Sequence, residues 1–367
     1  MLALMIAFAL SLGVTLLVVH VARRREHVFL DHDLSGPQKF HVSPVPRVGG
    51  IGIFVGLLAA LGLLAVEQPQ ARIGLALLAC GLVALGVGLV EDITKRVSPR
   101  MRLIATAASA LLAAWWLGLA ITHTSLPGLD WLVSFSIGSW LLTLLAVAGI
   151  ANAVNIIDGF NGLASMCVVI MLAALAYVAY EVGDPVVGAI ALAGIGAVLG
   201  FFVWNFPAGL IFLGDGGAYF LGFFVAEVAL LLLVRNPEVS PLFPLLVCIY
   251  PAFETVFSMY RRRFIRALPP SMPDGIHLHS LIYRRVMRWA VGDRSAKALT
   301  RRNSMTSPFL WLLCMLSVVP AVLFWNNTPL LVGFLAIFIV SYVMLYWRIV
   351  RFKSPRWMRA FVRRRPR

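Results

Sequence analysis

The sequence predicts an all-α integral membrane protein, a polytopic bundle of about eleven transmembrane helices. Three observations carry that prediction. Of the 367 residues, 60% are hydrophobic and 13% are charged, against about 25% charged in an ordinary soluble domain. Apolar runs of about 20 residues, the length that crosses a bilayer as helix, recur along the whole chain. The net charge of +15 collects in one set of connections, as the basic residues of cytoplasmic loops do. That distribution accounts for the positive charge without nucleic acid as a partner.

The expected spans lie near 1–22, 49–66, 73–90, 103–120, 138–154, 163–180, 186–203, 218–234, 242–258, 306–324 and 330–347. The first has no basic residue before it and no small-residue cleavage site, so it reads as a retained span, not a signal peptide. Alternating the connections between the two sides leaves Arg72 and Arg235 as the basic residues of one side. The remainder of the 31 Lys and Arg lie on the other side and in the tail, which ends Arg363-Arg364-Arg365-Pro366-Arg367. The basic side is the cytoplasm, which puts the N-terminus outside and the C-terminus inside. Residues 1–350 then form one transmembrane domain and 351–367 a basic cytoplasmic tail. Cys80, Cys167, Cys248 and Cys314 sit inside apolar spans, far apart, and read as small buried hydrophobes.

The cytoplasmic connections 23–50, 91–102, 155–162, 205–217 and 261–302 hold the unusual residues. Outer connections such as Glu181 to Pro185 and Asn326 to Pro329 read as plain turns. This asymmetry points to a site that faces the cytoplasm.

Taken in order, the first segment runs from Lys39 to Arg47 and ends in Gly49-Gly50. Its prolines stiffen it, and its glycines either let backbone N–H groups approach a ligand or pack two helices closely. Next come Glu91-Asp92, followed by Lys95, Arg96, Arg100 and Arg102. Adjacent carboxylates repel, which suits one of them to act as a base, and they also draw divalent cations. The alternative is a solvated helix end, although acids are unfavourable at a helix C-terminus.

The third segment, Asn152-Ala-Val-Asn155-Ile-Ile-Asp158-Gly159-Phe-Asn161-Gly162-Leu163, spaces four polar residues by three, along one side of a helical turn. An interhelical polar zipper would use the asparagines. The Asp158-Gly159 and Asn161-Gly162 pairs add turn chemistry that a zipper does not need.

In the fourth, Phe212-Leu-Gly214-Asp215-Gly216-Gly217 sets an acid among glycines at a helix start. Exposed N–H groups there favour an anion or a metal-bridged phosphate. Asp215 also suits a helix cap, and Phe212 either packs or offers a ring face to a base. The last segment, 261–302, carries eleven basic residues against Asp274 and Asp293. Attraction to anionic lipid explains its arginines, including Arg266. It does not explain His277-Leu278-His279 between a Pro-Asp-Gly turn and a basic run, which suit pyrophosphate contacts.

In sequence, these five segments resemble the polyprenyl-phosphate N-acetylhexosamine-1-phosphate transferases, through Asn-Ala-x-Asn-x-x-Asp-Gly at 152–159 and Phe-x-Gly-Asp at 212–215 above all. The resemblance covers roughly Lys39 to Arg285. It is nearest to the bacterial branch that uses UDP-N-acetylhexosamines, with the UDP-MurNAc-pentapeptide branch as the alternative.

It implies transfer of HexNAc-1-phosphate from a UDP-sugar to a polyprenyl phosphate such as undecaprenyl phosphate, the first lipid-linked step of a surface polysaccharide such as O-antigen. By resemblance, Asp215 and Asn155 hold Mg²⁺, with Mn²⁺ as an alternative. Phe212 stacks on uracil, and Asp158, Gly159 and Asn161 line the nucleotide pocket. Glu91 and Asp92 form the acidic pair. His277, His279, Lys39, Arg47 and Arg266 meet phosphate and sugar. A homodimer is left open.

Three departures stand out. Glu91 replaces the first acid of an Asp-Asp pair, Asn161 replaces the second acid of Asp-Gly-x-Asp-Gly, and Ser280 replaces the last histidine of His-x-His-His. The competing classes are a transporter with a polar path across the membrane and a lipid-binding scaffold.

Overall fold

The computed structural model describes residues 1–24, 45–265, 276–287 and 295–351. Lys39, Arg266 and the tail from 352 onward lie outside the described residues. Among those described the secondary structure is helical, and nine segments are long and apolar enough to cross a membrane. The helices are α1 Leu2–Arg24, α2 Gly50–Glu67, α3 Arg72–Thr94, α4 Pro99–Leu117, the short α5 Pro127–Val133, α6 Ser136–Ile157, α7 Leu163–Glu181, α8 Pro185–Asn205 and α9 Gly214–Arg235. They continue with α10 Leu242–Val247, α11 Ile249–Tyr260, α12 Ala296–Leu323 and α13 Thr328–Val350.

Two of the expected spans take a different form. The run expected at 103–120 is α4, which opens Pro-Arg-Met-Arg and is not among the nine. The run expected at 242–258 is broken at Cys248 into α10, of six residues, and α11, of twelve. Pro251 has no N–H to give the carbonyl of Val247, so a continuous helix would lose a rung there. A third difference lies at α12. It starts at Ala296, where the Ser295 hydroxyl accepts the Ala298 N–H, so the end of the expected 261–302 loop is helix.

The bundle is built around α9. Its sequence is apolar on every side apart from its first turn, Glu227 and the terminal Arg235, the mark of a helix surrounded by others. It packs against α3 and α6 on two sides and against α2, α4, α7 and α8 around them. Polar backbone inside hydrocarbon has to be satisfied within the helix, so close packing of complete helices is the available solution. Aliphatic and aromatic side chains fill the centre, with Phe220, Phe223 and Phe224 fully buried. The first helix lies along α8 and α2. All four cysteines are buried with free thiols.

At the start of α9 the backbones come unusually close, and only glycine allows it. A Cβ on Gly88 of α3 would stand 2.4 Å from the Cα of Gly216, and one on Gly50 of α2 would stand 2.5 Å from the Cα of Gly217. Small residues that bring helices into near backbone contact are a common membrane packing device. Here they draw α2 and α3 onto the first turn of α9.

At the far end of α9, Asp184 caps α8 by accepting the Val186 and Val187 N–H groups. It also pairs with Arg235 Nε at 2.6 Å. Burial acts against this carboxylate, but the hydrogen bonds from Arg235, Val187 and Asn236 outweigh it and hold its pKa below the usual range. The end opposite the glycine contacts is thus tied by a neutralised cap.

These contacts make a position-specific prediction. Gly88→Ala should lower the melting temperature in detergent sharply, by the equivalent of about 1–3 kcal/mol or more, because the methyl meets backbone and not a movable side chain. Gly86→Ala, two residues away on the same helix with nothing within 4 Å of its Cβ, should be neutral or slightly stabilising. Equal melting temperatures for the two variants would refute the packing assignment.

Candidate active site

The site lies where α3 and α6 end and α9 begins. The first N–H groups of a helix have no partner within it, and those of α9 point into the protein. Asp92, near the end of α3 and 9% exposed, supplies the acceptors. Its Oδ1 takes the Asp215 N–H at 2.9 Å and its Oδ2 takes the Gly216 N–H at 2.9 Å. A carboxylate is well placed at the positive end of a helix dipole. The sequence marks Asp92 as a candidate base or cation ligand; the structure shows that it also orients the first turn of α9.

Asp215, on that turn, gathers three groups. Asn155 of α6 donates its Nδ2 to Oδ1 at 3.1 Å. Arg102, in the first turn of α4, forms an ion pair with Oδ2, and Arg47 lies 4.0 Å from Oδ1. Arg102 also reaches to 3.9 Å from Glu91. Glu91 itself accepts the Val97 N–H at 2.8 Å, closing the turn between α3 and α4. The bond from Ser98 to the Met101 N–H starts α4 and puts Arg102 within reach. Arg102 is a site residue that the sequence reading names only as part of a basic run.

Asp158 caps the end of α6, its N–H bonded to the Asn155 carbonyl at 3.2 Å. Burial pushes its carboxyl up to about 7; Arg47 opposes the shift and the charges of Asp215 and Asp92 reinforce it. Gly159 follows, and a Cβ there would sit 3.4 Å from His279 Nε2. Phe160 meets the His279 ring edge-on, with centroids 5.4 Å apart. The histidine segment is therefore folded onto the Asp158 turn. It is anchored from behind: Arg261 donates to the Tyr346 hydroxyl at 2.7 Å, and that hydroxyl reaches the Ile276 carbonyl at 3.3 Å.

The first segment docks through its glycine pair. The Gly49 and Gly50 N–H groups donate to the carbonyls of Phe212 and Leu213 at 3.0 and 3.2 Å. They serve packing and leave no N–H for a ligand. The Phe212 N–H bonds the Pro46 carbonyl at 2.8 Å, so Phe212 and Arg47 are held side by side.

Asn161, which the resemblance places in the nucleotide pocket, is 3% exposed, and its backbone and amide N–H groups are taken up by α12 and by Pro207. Its N–H donates to Asn303 Oδ1 at 2.8 Å and its carbonyl accepts from Ser307 at 2.6 Å. Its amide donates to the Pro207 carbonyl and the Ser304 hydroxyl. The cause is the Asn-Ser-Met-Thr-Ser stretch at 303–307 in the first half of α12, a polar face that sequence periodicity alone could not assign to this turn. Asn152 is likewise structural, joining α6 to Thr106 of α4 at 3.1 Å.

The donor set suits a hard divalent cation brought in by a ligand. Asp215 offers carboxylate oxygens, and Asn155 offers Oδ1 once its amide is turned. Among the described residues no cluster of three or more His, Cys, Asp or Glu forms a cage. Mg²⁺ is commonly held this way, by one or two protein oxygens with phosphate and water completing its shell.

These features define a polytopic membrane protein with an acid- and arginine-lined site at one end of its bundle. A sequence model of glycosyl transferase family 4 matches residues 74–233, from α3 through α9 and thus across Asp92, Asn155, Asp158 and Asp215. The chain is 28% identical over 345 residues to the undecaprenyl-phosphate alpha-N-acetylglucosaminyl 1-phosphate transferase of Haemophilus influenzae, covering 90% of each. It is 27% identical over 295 residues, 80% of each, to the probable undecaprenyl-phosphate N-acetylglucosaminyl 1-phosphate transferase of Bacillus subtilis. It is 30% identical over 243 residues to the phospho-N-acetylmuramoyl-pentapeptide-transferase of Bacillus cytotoxicus, 62% of this chain and 73% of that protein. The chain belongs to glycosyl transferase family 4.

Two outcomes follow for the turn. Asn161→Ala should cost about 1–3 kcal/mol of stability, as loss of buried hydrogen bonds does; an unchanged melting temperature would refute its structural role. For Asp158, the folded value lies above that of an unfolded aspartate, about 3.9. The folded protein therefore keeps a proton that the unfolded chain loses, and stability should fall as pH rises from about 4 to about 7. Asp158→Asn should flatten that slope in melting curves taken across the range; an unchanged slope would remove Asp158 as its source.

Proposed function

We propose that the protein transfers N-acetylhexosamine-1-phosphate from a UDP-N-acetylhexosamine to a polyprenyl phosphate, releasing UMP. The observation that carries this reading is the convergence of Asp92, Asn155, Asp158 and Asp215 with Arg47 and Arg102 at one end of the bundle, in a chain of this family. Undecaprenyl phosphate is the acceptor we favour, because the relatives from Haemophilus influenzae and Bacillus subtilis are named for it.

The topology we propose has eleven crossings, with α4 and the broken α10–α11 pair added to the nine apolar segments. The N-terminus is outside, and the site faces the cytoplasm of a bacterial inner membrane. Positive charge on the loops supports this orientation. The chemistry agrees: UDP-sugars are cytosolic, while the prenyl tail stays in lipid and brings its phosphate to the interface.

In the reaction an oxygen of the lipid phosphate attacks the β-phosphorus of the UDP-sugar, and the bond to UMP breaks. Asp215 and Asn155 would hold Mg²⁺, which when bound neutralises the pyrophosphate and makes UMP a better leaving group. Arg47, Arg102, His277 and His279 stabilise the charge that builds on the transferred phosphoryl. Asp92 keeps the first turn of α9, and with it Asp215, in position. A lipid monophosphate is largely ionised near neutral pH, so the attack needs no strong base. Phe212 is offered as the stacking surface for uracil.

The Bacillus cytotoxicus relative supports a second reading, with a muramoyl-pentapeptide donor. Purified protein given polyprenyl phosphate, Mg²⁺ and a panel of UDP-sugars should form a lipid-linked sugar pyrophosphate with UDP-HexNAc, detected by mass, with UMP in equal amount. Product with UDP-MurNAc-pentapeptide alone would select the second reading, and no UMP with any donor would favour a transporter or scaffold. Asp215→Ala and Asp92→Asn should each lower turnover by at least about 100-fold, as loss of a charge-positioning group does, with the fold retained; full activity in either would overturn the site.

A further inference from the structure

Glu254 lies on α11 inside an apolar run and belongs to none of the segments that the sequence marks. It is 0% exposed. A carboxylate removed from water is costly unless hydrogen-bonded and paired, and Glu254 is fully engaged. Its Oε1 accepts from His277 Nδ1 at 3.0 Å and from the Leu278 N–H at 3.3 Å, and its Oε2 accepts from the Tyr342 hydroxyl of α13.

The bond to Nδ1 has a chemical consequence. An imidazole whose Nδ1 donates to a carboxylate carries its proton there, so Nε2 is the nitrogen that can meet a substrate. The ring is also held face to face with His279, with centroids 5.1 Å apart and planes 15° apart. His279 in turn lies against the Asp158-Gly159 turn. A chain of contacts therefore runs from the last helix through a buried acid to two histidines and the edge of the site.

We propose that Glu254 is a positioning residue for the phosphoryl-transfer site: together with Tyr342 it fixes the tautomer and orientation of His277, so that Nε2 is presented to the anionic donor. This rests on the reading that His277 contacts the donor pyrophosphate. It adds to the role of α13, whose Tyr346 already anchors the segment at the Ile276 carbonyl.

The test is a double-mutant cycle in the full-length protein, with UDP-HexNAc and polyprenyl phosphate as substrates. Glu254→Gln keeps the shape of the side chain and should lower kcat/KM by about 10- to 100-fold, the range seen when the outer partner of a working histidine is removed. The fold should be retained with a lower melting temperature, since an amide leaves one of these buried donors without an acceptor, and Glu254→Asp should recover part of the loss in kcat/KM. In a His277→Ala background, Glu254→Gln should cause no further loss, because its effect passes through His277. Additive losses, or a Glu254→Gln enzyme as active as wild type beside an impaired His277→Ala, would overturn the positioning role. Should Glu254→Gln not fold, Tyr342→Phe serves in the same cycle: it keeps the ring and removes one donor. A smaller loss that vanishes in the His277→Ala background supports the proposal, and one that persists overturns it. Full activity of His277→Ala would instead overturn the site reading itself.

Discussion

The bond on which the site depends is between the Asp92 carboxylate and the first N–H groups of α9. A buried helix N-terminus left unmet costs several kcal/mol. Asp92 meets it from α3, and two oxygens on two adjacent N–H groups leave α9 little freedom to rotate or slide. The bond forms only because Gly88 and Gly216 let the two backbones nearly touch. Helix packing, helix capping and the placement of Asp215 are one arrangement.

Around that bond the charges are arranged in opposition. Asp92, Asp158 and Asp215 crowd three acids into a small space, with Arg47 and Arg102 set against them. Three close carboxylates repel, and the arginines relieve the repulsion in the protein by itself. On the proposed reading, the acids would face a bound cation and the arginines the phosphates of the donor.

The histidine segment illustrates support from a distance. His277 and His279 sit on residues 276–287, which have little regular structure beyond one turn of helix and a short π-helical stretch. They are held by groups from elsewhere: Glu254 and Arg261 near the end of α11, and Tyr342 and Tyr346 on α13. Burial of Glu254 and Arg261 in this network makes each of them expensive to change, since removing one partner leaves another buried and unsatisfied.

The sequence by itself determined the membrane class, most of the spans and the polar segments that the fold gathers. Twenty-residue apolar runs and clustered arginines are one-dimensional signals, and polar residues in a greasy chain are visible wherever they fall. Asp92, Asn155, Asp158 and Asp215 stood out on those grounds, and the fold brings them together. What only the tertiary structure decided is which partner each polar group takes. Asn161 and Asp158 look alike in the sequence, yet Asn161 is turned to a polar face of α12 more than a hundred residues away. Gly49 and Gly50 read equally well as a ligand cradle and as a packing pair, and carbonyls from 212 and 213 settle that choice. Glu254 and Arg102 gave little local sign of their importance, because a hydrogen bond between distant helices leaves no periodicity in either. Composition and spacing report the medium a residue must live in, whereas its partner is set by the packing of helices that the chain reaches only after folding.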